Sequence, residues 1–245
     1  MQKKRIIEMI PKLIHLCWFS NDPYPVEIKV CLDSWKRVIP DYEIKLWGYK
    51  EAKAIGCHFI DEALEEKRWA FAADAVRFYA VYKYGGLYMD SDIFLFKRFD
   101  DFVPDTGFMT FNEKVDADNR EFGLQAAFFM GEAGNSLCKA VFEHYQSTHY
   151  RNEDGTLNNT ISPLVMARIA EKKFGYRRED TFQDLGEIKI YPTHFFAPRN
   201  KYKIDKYTFG IHRIYGSWRK RKFGRKVEIW IRHQLHVLRY ALFKR

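Results

Sequence analysis

The sequence predicts an α/β domain with a mainly parallel sheet and helices on both of its faces. Strand-like and helix-like segments alternate from residue 10 to residue 96, the pattern left by parallel strands joined through crossover helices. The 245 residues are 47% hydrophobic, enough to bury a sizeable core in one large domain or a domain with an appendage. No stretch approaches the roughly 20 consecutive apolar residues that a membrane-spanning helix needs.

Each element has a local reason. Residues 10–19 (IPKLIHLCWF) read as a buried first strand. Pro25 opens a helix that runs to Ile39, with Pro40 beyond its end. Tyr42–Trp47 alternates apolar and charged residues as a second strand. A helix over Trp69–Tyr84 stops at Gly85-Gly86, where glycine accepts the backbone conformations that end a helix. A strand, an Asp90-Ser91-Asp92 turn and a further strand over Ile93–Phe96 follow. Thr106–Phe111 and Gln125–Met130 are also strand candidates, and 135–150 and Ser162–Phe174 are helical. Ser162 reads as a local cap for the second of these helices.

The chemistry concentrates around Asp90 and Asp92. Two acids beside apolar strand residues are costly unless something offsets their lost hydration. A divalent cation is the natural partner, and a cation held at a short Asp-x-Asp turn is suited to gripping a diphosphate. Positions i and i+2 of a strand point the same way, so both carboxylates reach one ion. Upstream, Asp74 and Arg77 lie three apart on one helical face among Ala, Phe and Val. Such a pair either pins the helix from inside or holds sugar hydroxyls, with the carboxylate accepting and the guanidinium fork donating.

The segment Trp69-Ala-Phe-Ala-Ala-Asp74-Ala-Val-Arg77, continuing to Tyr84-Gly-Gly-Leu-Tyr88-Met-Asp90-Ser-Asp92, resembles the signature of glycosyltransferases with a sugar-binding Asp-x-Asp region. It is similar to glycosyltransferase family 32, which contains α-1,6-mannosyltransferases and many bacterial capsular-polysaccharide enzymes, and to the core of the glucosylating clostridial toxins. Ile10-Pro-Lys-Leu-Ile-His15, Trp18, Ser34-Trp35, Pro40-Asp41-Tyr42 and Leu46-Trp47 match the same pattern. The resemblance is dense over residues 10–100 and sparse afterwards. It implies a GT-A nucleotide-binding sandwich, dependence on Mn²⁺ or Mg²⁺, and sugar transfer with retention at the anomeric carbon. The donor would be a UDP- or GDP-sugar and the acceptor a glycan or a lipid-linked saccharide, as in bacterial surface polysaccharide synthesis.

The resemblance also implies roles. Trp18 would stack on the nucleobase. Asp74 would bind ribose or donor-sugar hydroxyls and Arg77 would help hold the sugar. Asp90 and Asp92 would face the metal and the diphosphate, completing a catalytic set of Asp74, Arg77, Asp90 and Asp92. Relatives often carry a His followed by Gly-Ser-Trp late in the chain; here the run is Gly210-Ile-His212-Arg-Ile-Tyr-Gly-Ser217-Trp218. His212 would complete the metal's ligands, since imidazole suits Mn²⁺ better than Mg²⁺. Ser217 and Trp218 would close over the β-phosphate and donor. Two other classes use comparable residues: metal-dependent phosphohydrolases or nucleotidyltransferases, and non-catalytic glycan-binding proteins. The Asp-x-Asp of haloacid-type phosphatases starts near the N-terminus, unlike Asp90, and no nucleotidyltransferase Gly-rich loop is present.

The net charge of +9 belongs to one place. Residues 218–245 hold ten Lys or Arg against Glu228 alone, and the other 217 residues balance at 31 basic and 31 acidic side chains. The main domain therefore gives no electrostatic case for nucleic acid. Phe223, Val227, Trp230, Ile231, Leu235, Leu238 and Leu242 recur at helical spacing, so 219–245 is expected to be a basic amphipathic helix beside a 1–218 catalytic domain. Such a helix would sit on anionic lipid. The four cysteines show no metal or disulfide spacing and no signal peptide is seen, so a cytoplasmic protein, peripheral on the inner membrane face, is expected.

Overall fold

The first strand sets the layering. Its Ile14 and Leu16 enter one hydrophobic cluster, and His15 and Cys17 turn toward the other. The computed structural model describes residues 10–115, 122–196, 205–213 and 231. Ser217, Trp218 and the expected tail helix lie outside those residues, Ile231 apart.

In chain order the elements are β1 (Leu13–Cys17), α1 (Val26–Val38), β2 (Glu43–Trp47), α2 (Tyr49–Lys53), α3 (His58–Glu65), α4 (Trp69–Tyr84), β3 (Gly86–Met89), β4 (Ile93–Leu95), β5 (Phe108–Lys114), β6 (Phe122–Leu124), β7 (Phe128–Gly131), α5 (Ser136–Gln146), α6 (Ser162–Phe174), β8 (Gln183–Asp184), β9 (Ile188–Tyr191) and β10 (Gly210–His212). The helices expected over 25–39, 69–84 and 162–174 are present. The α5 helix ends four residues short of the expected Tyr150. Its last turn is closed instead by the Ser147 and Thr148 hydroxyls, which donate to the His144 carbonyl at 3.0 and 2.5 Å.

The main sheet runs β2-β1-β3-β7-β5-β9-β8, with β6 added beside β5. Strands β1, β2, β3, β5 and β9 point one way, and β7 and β8 the other. The sheet is thus mostly parallel, as expected. Helices α3 to α6 cover one face and α1, with a cluster of Phe side chains, covers the other. At the crossing of β1 and β3 the chains approach closely: a Cβ on Gly86 would lie 2.4 Å from the Leu13 carbonyl oxygen, and Gly86 has φ 100°. Only glycine fits there.

Several residues of the sequence signature turn out to be joints of this frame. Trp35 Nε1 donates to the Ile93 carbonyl at 2.8 Å, and the Leu95 amide donates to Ser34 Oγ at 3.0 Å. Helix α1 thereby fixes β4. Asp41 pairs with Lys12 at 2.6 Å and Arg98 at 2.7 Å on the surface.

His15 is fully buried. Trp47 Nε1 donates to its Nδ1 at 3.2 Å, so the proton sits on Nε2, which donates to the Gly85 carbonyl at 2.8 Å. Burial, opposed by the Gly85 hydrogen bond, lowers its pKa to about 4. Above pH 6.5 the ring is neutral in both folded and unfolded chains. Between pH 6.5 and about 4 the unfolded chain binds a proton that the folded one excludes, so stability falls with pH across that window. The gap from 6.5 to about 4 corresponds to at most ~3 kcal/mol. Urea titrations of wild type and His15→Gln at pH 4 to 7 are expected to show a steeper acid loss in the wild type. Parallel profiles would contradict the buried neutral ring.

Candidate active site

The Asp90–Asp92 bend is built by two strands that diverge. β3 ends at Met89, and the Asp90 amide extends its ladder by donating to the Ala127 carbonyl beside β7 at 2.9 Å. The Ile93 amide then donates to the Asp90 carbonyl at 3.0 Å, closing a turn with Ser91 and Asp92 at its centre. β4 leaves this turn and pairs antiparallel with β10, with His212 opposite Ile93. That register brings a residue from the far end of the described chain next to Asp92.

His212 Nε2 lies 3.3 Å from Asp92 Oδ1 and 3.8 Å from Asp90 Oδ2. One donor atom from each of Asp90, Asp92 and His212 falls within 4.8 Å of the others. Two carboxylate oxygens and an imidazole nitrogen at that spacing fit a single divalent cation with positions to spare for a ligand's oxygens. Burial pulls the His212 ring down, but Asp92, Asp90 and Glu113 outweigh it and push its pKa up to about 9. The acids thus favour positive charge at this point.

Asp90 divides its two oxygens. Tyr88 OH donates to Oδ1 at 2.6 Å, and Arg77 Nη2 stands 3.7 Å from the same atom. Oδ2 is the one turned toward His212. Tyr88 is itself buried, with the Arg77 guanidinium 4.7 Å from its ring centroid. Tyr88 is a site residue that charge and metal-ligand arguments pass over; its position two residues before Asp90 on a strand is the signal that it shares a face with that acid.

Helix α4 carries Asp74 and Arg77 inside the protein, 8% and 5% exposed. The Arg77 donors are all directed inward. Nε donates to the Ala73 carbonyl at 3.1 Å and Nη1 to the Ala126 carbonyl at 2.7 Å, while Nη2 pairs with Asp74 Oδ1 at 2.8 Å. The guanidinium therefore joins α4, the segment before β7 and both acids. Ser162 does not act as the expected cap of α6. The N-cap is Ile161, with no side-chain cap bond, and Ser162 Oγ donates instead to Asp74 Oδ1 at 2.8 Å. Ser162 is 1% exposed at the start of α6, and its hydroxyl meets the Asp74 carboxylate rather than its own helix end. Burial pushes the Asp74 carboxyl up to about 6 against the pull of Arg77 and Ser162.

Trp18 follows β1, and the pairing of His15 with Tyr88 sets the ends of β1 and β3 side by side. Its indole Nε1 donates to the Asp22 carbonyl at 3.0 Å, and its ring lies 4.8 Å from that of Tyr24. Cys17 precedes it, with burial raising the thiol pKa and Arg77, Asp90 and Asp74 as its charged neighbours. The structure thus gathers Asp74, Arg77, Asp90, Asp92 and His212 at one end of the sheet. Ser217 and Trp218 lie outside the described residues.

Known proteins resemble this chain over the segment that carries the bend. Residues 25–109, which include the Asp90–Asp92 bend, match the family model of the glycosyltransferase sugar-binding region containing a DXD motif. Human alpha-1,4-N-acetylglucosaminyltransferase is 25% identical over 209 residues, 84% of this chain and 49% of that protein. Inositol phosphoceramide mannosyltransferase 3 of Schizosaccharomyces pombe (strain 972 / ATCC 24843) is 33% identical over 91 residues, 34% of this chain and 24% of that protein. The chain thus spans about half of the first relative and a quarter of the second. Among solved structures, the PaToxG glycosyltransferase superposes with a TM-score of 0.55 at 17% identity, over 69% of this chain and 71% of the other. The fold is shared, and the GT-A expectation is met.

Proposed function

From residues 25–109, which carry the DXD-containing sugar-binding region of glycosyltransferases, we propose that the chain is a metal-dependent glycosyltransferase acting with retention. It transfers a sugar from a nucleoside diphosphate donor to a hydroxyl of a glycan or lipid-linked saccharide. The observation that carries this proposal is the convergence of Asp90, Asp92 and His212 from three strand ends within 4.8 Å, beside the buried Asp74–Arg77 pair. The curated relatives are named for N-acetylglucosaminyl and mannosyl transfer, which supports UDP- and GDP-linked hexoses as the donor class.

Asp90 Oδ2, Asp92 Oδ1 and His212 Nε2 would hold the cation, with Mn²⁺ suited to the mixed oxygen and nitrogen set. When bound, that ion neutralises a departing diphosphate. Asp74 accepts hydroxyls of the donor, and Arg77 holds Asp74 and Asp90 in place while adding positive charge beneath the diphosphate. Trp18 supplies an aromatic face for the base. The acceptor hydroxyl forms its new C–O bond on the face from which the diphosphate leaves, and its proton passes to the leaving phosphate oxygen. Ser217 and Trp218 close over the donor, a role that rests on sequence alone.

No helix among the described residues is long and apolar enough to cross a membrane. The basic amphipathic pattern of 219–245 supports attachment to an anionic membrane surface, and an acceptor on a lipid carrier would benefit from it. One experiment tests both halves. The full chain is incubated with UDP-glucose, UDP-galactose, UDP-N-acetylglucosamine and GDP-mannose, with and without Mn²⁺ and anionic vesicles. The expected result is Mn²⁺-dependent release of nucleoside diphosphate from one donor, and co-sedimentation that is lost when 219–245 is removed. Release of inorganic phosphate, or binding without turnover, would move the chain to another class. Equal sedimentation after truncation would remove the membrane claim.

A further inference from the structure

Asp74 is gripped from a second helix as well as from its own. Arg77 and Ser162 Oγ both contact Oδ1, each at 2.8 Å. Neither Arg77 nor the Ser162 hydroxyl takes Oδ2. Pro163, at the start of α6, has no amide to offer, so Ser162 is the available donor of that first turn.

Ser162 is set by the scaffold and not by Asp74. The segment leading to it is anchored at residues 149–151. Glu62 accepts from the Tyr150 amide at 2.8 Å, the Arg151 amide at 3.0 Å and His149 Nδ1 at 2.6 Å. Arg151 then pairs with Glu65 and Glu66 at 3.1 and 2.9 Å. At the other end, a Cβ on Gly123 would lie 2.9 Å from the Pro163 carbonyl oxygen, so α6 and β6 are in close backbone contact. A buried hydroxyl on such a mount fixes the carboxylate that it meets.

We propose that Ser162 is a positioning residue for the donor site: it locks one oxygen of Asp74 so that the other is presented to the hydroxyls of the sugar nucleotide. This deepens the glycosyltransferase reading and rests on it. Without the hydroxyl only Arg77 still holds Oδ1, so the carboxylate gains freedom to turn about its Cβ–Cγ bond and the orientation of its acceptor oxygen loosens. Asp74 does not belong to the cation set, so the cation's own affinity is independent of the change.

The test uses the full chain carrying Ser162→Ala. A lost hydrogen bond to a charged group raises a dissociation constant by about tenfold. The expected result is a KM for the preferred donor raised by about tenfold, with kcat changed less than threefold. Affinity for Mn²⁺ alone, measured by calorimetry without donor, stays within twofold. A folded variant with donor KM within twofold of wild type overturns the proposal. So does one whose Mn²⁺ affinity falls in step with its donor affinity, because that marks general loosening. Should the wild type turn over no donor, the proposed function fails separately. Urea midpoints of Ser162→Ala, Asp74→Asn and the double variant then decide: shifts that are less than additive support the Ser162–Asp74 lock, and additive shifts overturn it.

Discussion

Asp92→Asn is expected to lower Mn²⁺-dependent hydrolysis of the preferred sugar nucleotide by ~10³-fold, equivalent to about 4 kcal/mol of barrier. The change keeps the shape of the side chain and removes one of the two negative charges that face His212. A neutral amide oxygen is a weaker ligand for a hard divalent ion, so Mn²⁺ affinity measured by calorimetry should fall as well. Asp90 is a less clean choice. Its Oδ1 accepts from Tyr88 and lies near Arg77, so Asp90→Asn also disturbs a buried network and mixes stability with function. Asp92 Oδ1 faces His212 at 3.3 Å, and the Asp92 backbone carbonyl accepts from the Arg213 amide at 3.1 Å. A variant that binds Mn²⁺ as wild type does would falsify the assignment of that oxygen to the cation.

The site was legible where chemistry and spacing coincide, and hidden where tertiary contact decides. Asp90 and Asp92 stand out in sequence because a pair of acids between apolar runs has no cheap structural explanation. The end of α4 was equally clear, because Gly85 at φ 66° follows a helix made of good formers. Ser162 shows the opposite. A serine beside Pro163 has the local signature of a cap, and nothing in the sequence reveals that α4 passes within 2.8 Å of its hydroxyl. The short helices α2 and α3 leave little trace in the sequence for a related reason: five and eight residues give little periodicity, and packing stabilises them, α3 against α4 and α2 against α3 and β2. Strands β8, β9 and β10 are two to four residues long and take their identity from their partners. The signature itself combines two kinds of residue that sequence alone does not separate. Ser34, Trp35, Asp41 and Trp47 hold the frame, and Asp74, Arg77 and Asp90 are joined to one another at the end of the sheet beside Asp92.

Arg77→Met is expected to destabilise the fold by about 3–5 kcal/mol, the range for a buried ion pair that loses one partner. The guanidinium reaches two carbonyls and two carboxylates, so its removal strands the buried Asp74 charge and frees the Ala73 and Ala126 carbonyls together. Adding Asp74→Asn removes the stranded charge. The double variant should therefore recover part of the loss, as read from urea midpoints at pH 7. It should not recover donor turnover, because the carboxylate and the guanidinium proposed to serve the donor are both gone. The penalty in the single variant should also shrink as pH falls. In a site that favours the neutral acid, Asp74 has a folded pKa above its unfolded value, so the cost is present above the folded pKa and disappears below the unfolded one. If Arg77→Met were as stable as wild type at pH 7 and equally stable at pH 4, the pair would be a contact without weight in the fold. The positioning of Asp90 through Tyr88 and Arg77 would then need another support.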